Sequence, residues 1–333
     1  MRIATYNVEW FDKLFDDDGV LMDDGGWSGR QDVTREDQIA ALGTVFKAVD
    51  ADAYLIVEGP DDSRHRSTRQ ALFRFAERFE LRQREAVIGF PNDTQQELAL
   101  LYDPDVISAR HDPGATEFAP RFDTELSLDL DVDAKGDIVA WSKPPLELAV
   151  SAGERELRLI GVHAKSKAPY GAKTPDEVMR ISIANRRKQL AQCVWLRRRV
   201  EAHLEAGDAL IVLGDFNDGP GLDEYEKLFG RSGVEVVMGE AGEACLFDPH
   251  AVQALTARFA LPTTSRFWLP HEGRYLQALL DYVMVSQDLM SLRPKWRIWH
   301  PFDDAECFRD AALREALLTA SDHFPVSLDL ELG

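Results

Sequence analysis

The chain has 333 residues, 45% of them hydrophobic, and 38 Lys and Arg against 58 Asp and Glu give a net charge of −20. Such a surplus repels phosphate polymers and anionic membranes wherever salt does not screen it, which argues against tight non-specific nucleic-acid binding while leaving room for a local basic patch. Cys193, Cys245 and Cys307 are far apart and lack zinc-type pairing, and no window approaches the roughly 20 apolar residues of a membrane span or a signal-peptide core, so a reduced, cytoplasmic setting without a membrane span is expected.

Residues 2–8 read as a strand. The acidic, Gly-rich segment 12–29 follows, with Asp16-Asp17-Asp18 and Asp23-Asp24. Its Asp spacing misses the calcium-loop pattern, so a surface loop is expected. Residues 34–49 form a helix, with Thr34 and Asp37 as a capping-box-like start and Ile39, Leu42, Phe46 and Val49 as its apolar stripe. Residues 53–57 make a buried strand ending at Glu58, and 67–79 a helix carried by Leu72, Phe75, Ala76 and Phe79. Short strands follow at 85–89, 98–102, 106–110, 138–142 and 146–150, a succession that favours antiparallel pairing. Another strand spans 157–163, a long helix 175–205, and a strand at 210–214 stops abruptly at Gly214-Asp215-Phe216-Asn217-Asp218. Last come strands at 280–285 and 325–330. Helices interspersed with strand meanders predict an α/β fold of two mixed, largely antiparallel sheets packed face to face with helices outside, because runs of adjacent strands do not suit a doubly wound parallel sheet.

Polar residues collect at the strand ends. Asn7 and Glu58 follow the first two strands, Glu97 precedes one, His163 ends another, Asp215 and Asn217 end the next, Asp281 starts one, and Asp322-His323 precedes the last. Carboxylate and amide oxygens on one sheet edge are hard ligands for Mg²⁺ or Mn²⁺, and the lack of a Cys/His cluster argues against zinc. The two histidines supply proton transfer or phosphate contact near neutral pH. Each has a plainer explanation taken singly: Asp215 and Asn217 as turn chemistry, His163 as a core histidine, Asp322 as a strand cap. Their joint placement carries the site reading. Asp218 groups with Gly219 and Pro220 as turn chemistry.

Thr5-Tyr6-Asn7-Val8-Glu9, Val57-Glu58, Val162-His163-Ala164-Lys165-Ser166-Lys167, Leu213-Gly214-Asp215-Phe216-Asn217-Asp218, Leu280-Asp281-Tyr282-Val283-Met284-Val285 and Ser321-Asp322-His323-Phe324-Pro325-Val326 occur in this order. In this the chain resembles the endonuclease/exonuclease/phosphatase superfamily. The resemblance implies one catalytic domain over residues 1–333, a four-layer α/β sandwich like that of deoxyribonuclease I, and Mg²⁺- or Mn²⁺-dependent phosphoester hydrolysis. It implies Glu58 as principal metal ligand with Asn7 and Asp322 beside it. Asp215 and Asn217 would hold the attacking water and the scissile phosphate or a second metal. His323 would pair with Asp281 and His163 with Glu97, each carboxylate favouring imidazolium. Whether Asp215 or His323 takes the first proton stays open.

The chain departs from the family pattern at Val57, where Gln is common, and at Lys143, where Arg is usual and Lys meets phosphate as a point charge. Glu9 stands where some members place an acid near the metal. Lys143 and Lys165 are candidate phosphate contacts. Arg180, Arg186, Arg187, Lys188 and Arg197-Arg198-Arg199 on the long helix read as a solvated face, and Trp268, Trp296 and Trp299 as core more readily than as base-stacking surfaces. The expected substrate is a nucleic-acid phosphodiester, DNA or RNA. A phosphatase for a small or lipid-derived phosphate (inositol phosphate or sphingomyelinase-like) and a catalytically inactive binding module are the alternatives. No protein partner is expected.

Overall fold

The computed structural model describes residues 1–128, 130, 137–220, 229–240, 244–256, 261–269 and 273–332. Strand β1 (Arg2–Asn7) is followed by α1 (Arg35–Val49), β2 (Ala53–Gly59) and α2 (Thr68–Arg78). Strands β3 (Glu85–Ile88), β4 (Glu97–Tyr102) and β5 (Ile107–His111) precede a hairpin of β6 (Glu125–Leu128) and β7 (Asp137–Ala140), then β8 (Leu146–Ala152) and β9 (Arg155–His163). Helix α3 (Pro175–Ala206) leads to β10 (Leu210–Asp215), α4 (Gly233–Met238), β11 (Leu246–Phe247) and α5 (Pro249–Thr256). A second hairpin, β12 (Ser265–Leu269) with β13 (Arg274–Ala278), abuts β14 (Asp281–Ser286). The chain closes with β15 (Lys295–Ile298), α6 (Ala305–Arg309), α7 (Ala311–Ala320) and β16 (Val326–Asp329).

The strands form two six-stranded sheets, ordered β15-β16-β1-β2-β4-β3 and β11-β14-β10-β9-β8-β5. Among the described residues only the central pairs β1–β2 and β9–β10 are parallel. Leu55, Val57 and Leu100 from the first sheet meet Leu159, Leu213 and Val283 from the second in a core that neither face shares with water. Gly161 permits this approach, since a Cβ there would lie 2.4 Å from Leu55 Cδ1. The outer face of the first sheet packs on α1, α2 and α7 through Phe46, Phe75 and Leu317, and that of the second on α3 and α4 through Trp195, Leu196 and Val237. Helix, sheet, sheet and helix therefore make the four layers expected.

Local chemistry accounts for the main helices. Thr34 Oγ1 accepts from Asp37 N at 3.2 Å to start α1. Helix α3 opens with a full capping box between Thr174 and Glu177 and Pro175 in its first turn, and ends at Gly207 in the left-handed region, φ 77°. The cations of α3 correct the solvated-face expectation in part. Arg186, Arg197 and Arg199 are buried. A helix wedged between a sheet and loops on both flanks needs donors for loop carbonyls, and Arg197 meets Ala244 O at 2.6 Å while Arg199 meets Ala119 O at 2.8 Å. Trp299 is buried and bonded to Ser327 Oγ, as a core residue, and Trp296 is half-buried and bonded to Val283 O, whereas Trp268 is exposed, which corrects the core reading there. Strands β6, β11, β12, β13 and β15 and helices α4, α5, α6 and α7 lie outside the elements read from the sequence. All three cysteines are free thiols. No helix among the described residues is long and apolar enough to cross a membrane.

Candidate active site

Strand register brings the polar ends together. In the first sheet Asn7 pairs with Val57, setting Glu58 one residue beyond it, and Thr5 pairs with Val326, just after Asp322-His323. In the second sheet Asp215 lies between His163 on β9 and Asp281 on β14. Across the sandwich, Asn7 Nδ2 donates to Asp215 Oδ2 at 3.1 Å. Eight of the nominated residues, His163 and Asn217 included, thus meet at one edge, with Lys143 against His163. Gly214 is required there: its φ is 135°, and a Cβ would collide with the Val162 backbone. Glu58 and Asn217 occupy the left-handed region, φ 59° and 49°, a backbone strain that surrounding bonds must hold.

Asp215 is fastened on three sides. Its Oδ1 accepts from Asn217 N at 2.7 Å and its Oδ2 from Asn217 Nδ2 at 3.1 Å, while the Asn217 amide also reaches Ala164 O. Asp281 Oδ2 accepts from His323 Nδ1 at 2.8 Å and from Thr264 Oγ1 at 2.8 Å. His163 has different company. Lys143 Nζ lies 3.2 Å from its Nδ1, and Asp215 Oδ2 and Glu58 Oε1 lie 3.7 and 4.0 Å from its Nε2.

These surroundings separate the two histidines. Burial alone would discharge His323, but the Asp281 carboxylate, reinforced by Asp215 and Asp322, lifts it to about 10. Burial, with Lys143 and His323 adding repulsion, pushes His163 well below its ordinary value, so it is neutral. Burial lifts Asp215 to about 7, against the pull of His323. Burial also raises Glu58, with Lys143 opposing, and lowers Lys143, with Glu58 and Asp215 opposing. Two carboxylates of the edge, Asp215 and Glu58, thus resist ionisation.

The expected pairing of His163 with Glu97 is corrected. Glu97 is buried in the first sheet, where Asn92 Nδ2 donates to its Oε2 at 2.8 Å, and burial lifts it to about 7. The Asn92 turn takes the carboxylate that His163 would have used, so the expectation of a charged His163 falls with it. Lys165 sits beside the site, half-buried, its backbone N–H bonded to Gln192 Oε1. Val57 is fully buried between the sheets. The turn reading of Asp218 is also corrected: its side chain is fully buried and accepts from Arg186 Nη1 at 3.2 Å, Gly233 N at 2.5 Å and Lys167 Nζ, tying α3, α4 and the loop after His163 to the Asp215 loop. Thr264 and Ser321 were missed; Ser321 Oγ donates to Asn7 O at 2.7 Å and accepts from His323 N. Ser321 opens the segment Ser321-Asp322-His323, whereas nothing near Thr264 in the sequence marks it.

A divalent cation fits the donor set of Asn7, Glu58 and Asp322. All offer hard oxygens, and the Asp322 carboxylate accepts no hydrogen bond from the described residues, its nearest cationic neighbour being His323 Nε2 at 3.9 Å. Asp215, Asp281 and His323 also bring potential ligand atoms within 4.8 Å of one another. In that trio, however, His323 and Asp281 are already bonded to each other, which suits a proton-bearing pair.

The model of the Endonuclease/Exonuclease/phosphatase family matches residues 4–323. Among solved structures, truncated Caenorhabditis elegans TDP2 superposes with a TM-score of 0.51 at 13% identity, over 98% of this chain and 96% of that one. TDP2 from C. elegans gives 0.53 at 13% identity, over 98% and 74%. D. rerio TDP2 complexed with single strand DNA product gives 0.51 at 12% identity, over 98% and 97%. At these identities the likeness concerns the fold. Comparison with curated proteins found no match.

Proposed function

The chain belongs to the endonuclease/exonuclease/phosphatase family, whose members are phosphoesterase hydrolases, and we propose that residues 1–333 form a Mg²⁺- or Mn²⁺-dependent nuclease or phosphodiesterase domain. The observation that carries this reading is the convergence of Asn7, Glu58, Asp215, Asn217, Asp281, Asp322 and His323 at one sheet edge, with the Asn7–Asp215 bond joining the two sheets. Glu58, Asn7 and Asp322 would hold the cation, which when bound would polarise a phosphoryl oxygen and lower the cost of charge there. Asp215, oriented by both nitrogens of Asn217, takes the proton of the attacking water as the water oxygen displaces the ester oxygen from phosphorus, and the leaving alcohol takes its proton from solvent. A carboxylate kept near neutral pH by burial is suited to that exchange. His323 is held as imidazolium by Asp281 and, with Lys143, neutralises the phosphoryl oxygens as charge develops. Neutral His163 orients the phosphate by a hydrogen bond.

A nucleic-acid phosphodiester is the favoured substrate class, supported by the fold shared with D. rerio TDP2, which is complexed with a single strand DNA product. The test is a substrate panel on the purified protein: bis(4-nitrophenyl) phosphate, single-stranded DNA, RNA, inositol phosphates and sphingomyelin, each with and without chelator. Hydrolysis of the diester and of a polynucleotide, lost on chelation and restored by Mg²⁺ or Mn²⁺, is expected. Turnover confined to phosphate monoesters would replace the nuclease reading with a phosphatase, and binding without turnover would replace it with a binding module.

A further inference from the structure

The turn at Glu9-Trp10 touches all three residues assigned to the cation. Glu9 N donates to Asn7 Oδ1 at 3.1 Å, Trp10 N donates to Glu58 Oε2 at 3.0 Å, and Glu9 Oε2 accepts from Asp322 N at 2.9 Å. Both turn residues lie in the left-handed region, φ 49° and 59°, which neither side chain favours. Something outside the turn must hold it.

That support comes from the end of the acidic segment. Arg30 Nη1 pairs with Glu9 Oε2, and its Nη2 donates to Leu318 O at 3.2 Å in α7, just ahead of Ser321-Asp322. The guanidinium is largely buried, so the pair is little screened. Beside it, Gly29 lies flat on Trp10, where a Cβ would come within 2.5 Å of the indole stem. The segment is itself anchored, through Asp24 to Arg35 and Asp23 to Arg78. Glu9 meets Arg30 and Asp322 N through the same oxygen, Oε2, and so braces the Asp322 backbone.

We propose that Arg30 and Glu9 are positioning residues that set the cation affinity of the centre, with segment 12–29 as their scaffold. Arg30 fixes the Glu9 carboxylate, Glu9 fixes the backbone of Asp322, and the two strained N–H groups aim the oxygens of Asn7 and Glu58. This rests on the cation assignment made above.

The test is isothermal titration of the full chain with Mn²⁺, for wild type, Arg30→Met, Arg30→Lys and Glu9→Gln, with urea unfolding in parallel. Arg30→Met should weaken Mn²⁺ binding at least 10-fold. Arg30→Lys, which keeps the charge, and Glu9→Gln, which keeps an acceptor for Asp322 N, should fall between. Equal Mn²⁺ affinity in wild type and Arg30→Met, with only a loss of stability, would overturn the proposal and leave the hydrolase reading intact. So would tighter binding or a second Mn²⁺ in Arg30→Met, since Glu9 would then act as a ligand held in reserve. Should Arg30→Met fail to fold, Gly29→Ala, which displaces Trp10 from outside, must weaken Mn²⁺ binding for the proposal to survive. Wild type that binds no Mn²⁺ would sink the cation assignment itself.

Discussion

The two histidines stand at the same edge of the sandwich in different charge states. His323, entering the first sheet, faces Asp281, which Thr264 orients, and is an imidazolium. His163, leaving the second sheet, faces Lys143 and is neutral. Both rings are buried, so burial does not separate them; the neighbour contributed by the adjacent strand or loop does. A sequence motif can therefore nominate a histidine without fixing its charge, because the charge belongs to a residue dozens of positions away.

The sharpest way to break this contrast is Asp281→Asn. His323 should lose its charge near its ordinary value of about 6.5, and kcat/KM on bis(4-nitrophenyl) phosphate should drop on the order of 10²–10⁴-fold at pH 8. In the wild type the folded value is raised, to about 10, so the stability contributed by the charged pair is complete below the ordinary histidine value and is lost as pH rises through about 10. A pH–rate profile whose alkaline limb does not move in Asp281→Asn would refute the pairing. Next in size is Asp218→Asn, which removes the charge of the buried carboxylate that Arg186, Lys167 and Gly233 N share and should cost about 3 kcal/mol in urea unfolding. An unchanged midpoint there would return Asp218 to turn chemistry. His163→Gln should reduce kcat roughly 10-fold, by an equal factor from pH 6 to 8, because a neutral ring has no proton to lose in that range. Smallest is Glu97→Gln, expected to change kcat/KM less than about 2-fold, since Asn92 and not His163 is its partner. A large loss would revive the histidine pairing.

Much of the fold was legible because strand runs such as Leu210 to Leu213 end at Gly and Asp, and because Thr34 and Pro175 announce helices chemically. The β12–β13 hairpin was not, since Arg266, Phe267 and Trp268 alternate weakly and their partners lie across a turn. Helix α7 carries a readable stripe of Leu313, Ala316, Leu317 and Ala320 behind Asp310, which the short Ala-rich run disguised. In the site, the strand-end residues were visible as types at breaks, while their pairings depended on register. Asp215 meets Asn7 only because parallel pairs in separate sheets are stacked with their ends aligned. Arg186 and Asp218 show the same limit from the other side. A helical arginine and a turn aspartate both look solvated until α3 is placed over the loop they share.

In the proposed function Glu58 would stand where a cation and a phosphoester meet. The most direct test is Glu58→Gln, followed in the same samples by Mn²⁺ titration and by turnover of bis(4-nitrophenyl) phosphate. The variant should fold, bind Mn²⁺ at least about 100-fold more weakly and lose turnover, while chelated wild type behaves like the variant. Hydrolysis by Glu58→Gln or by chelated wild type at the full rate would contradict the assignment of this edge as a metal-dependent hydrolytic centre.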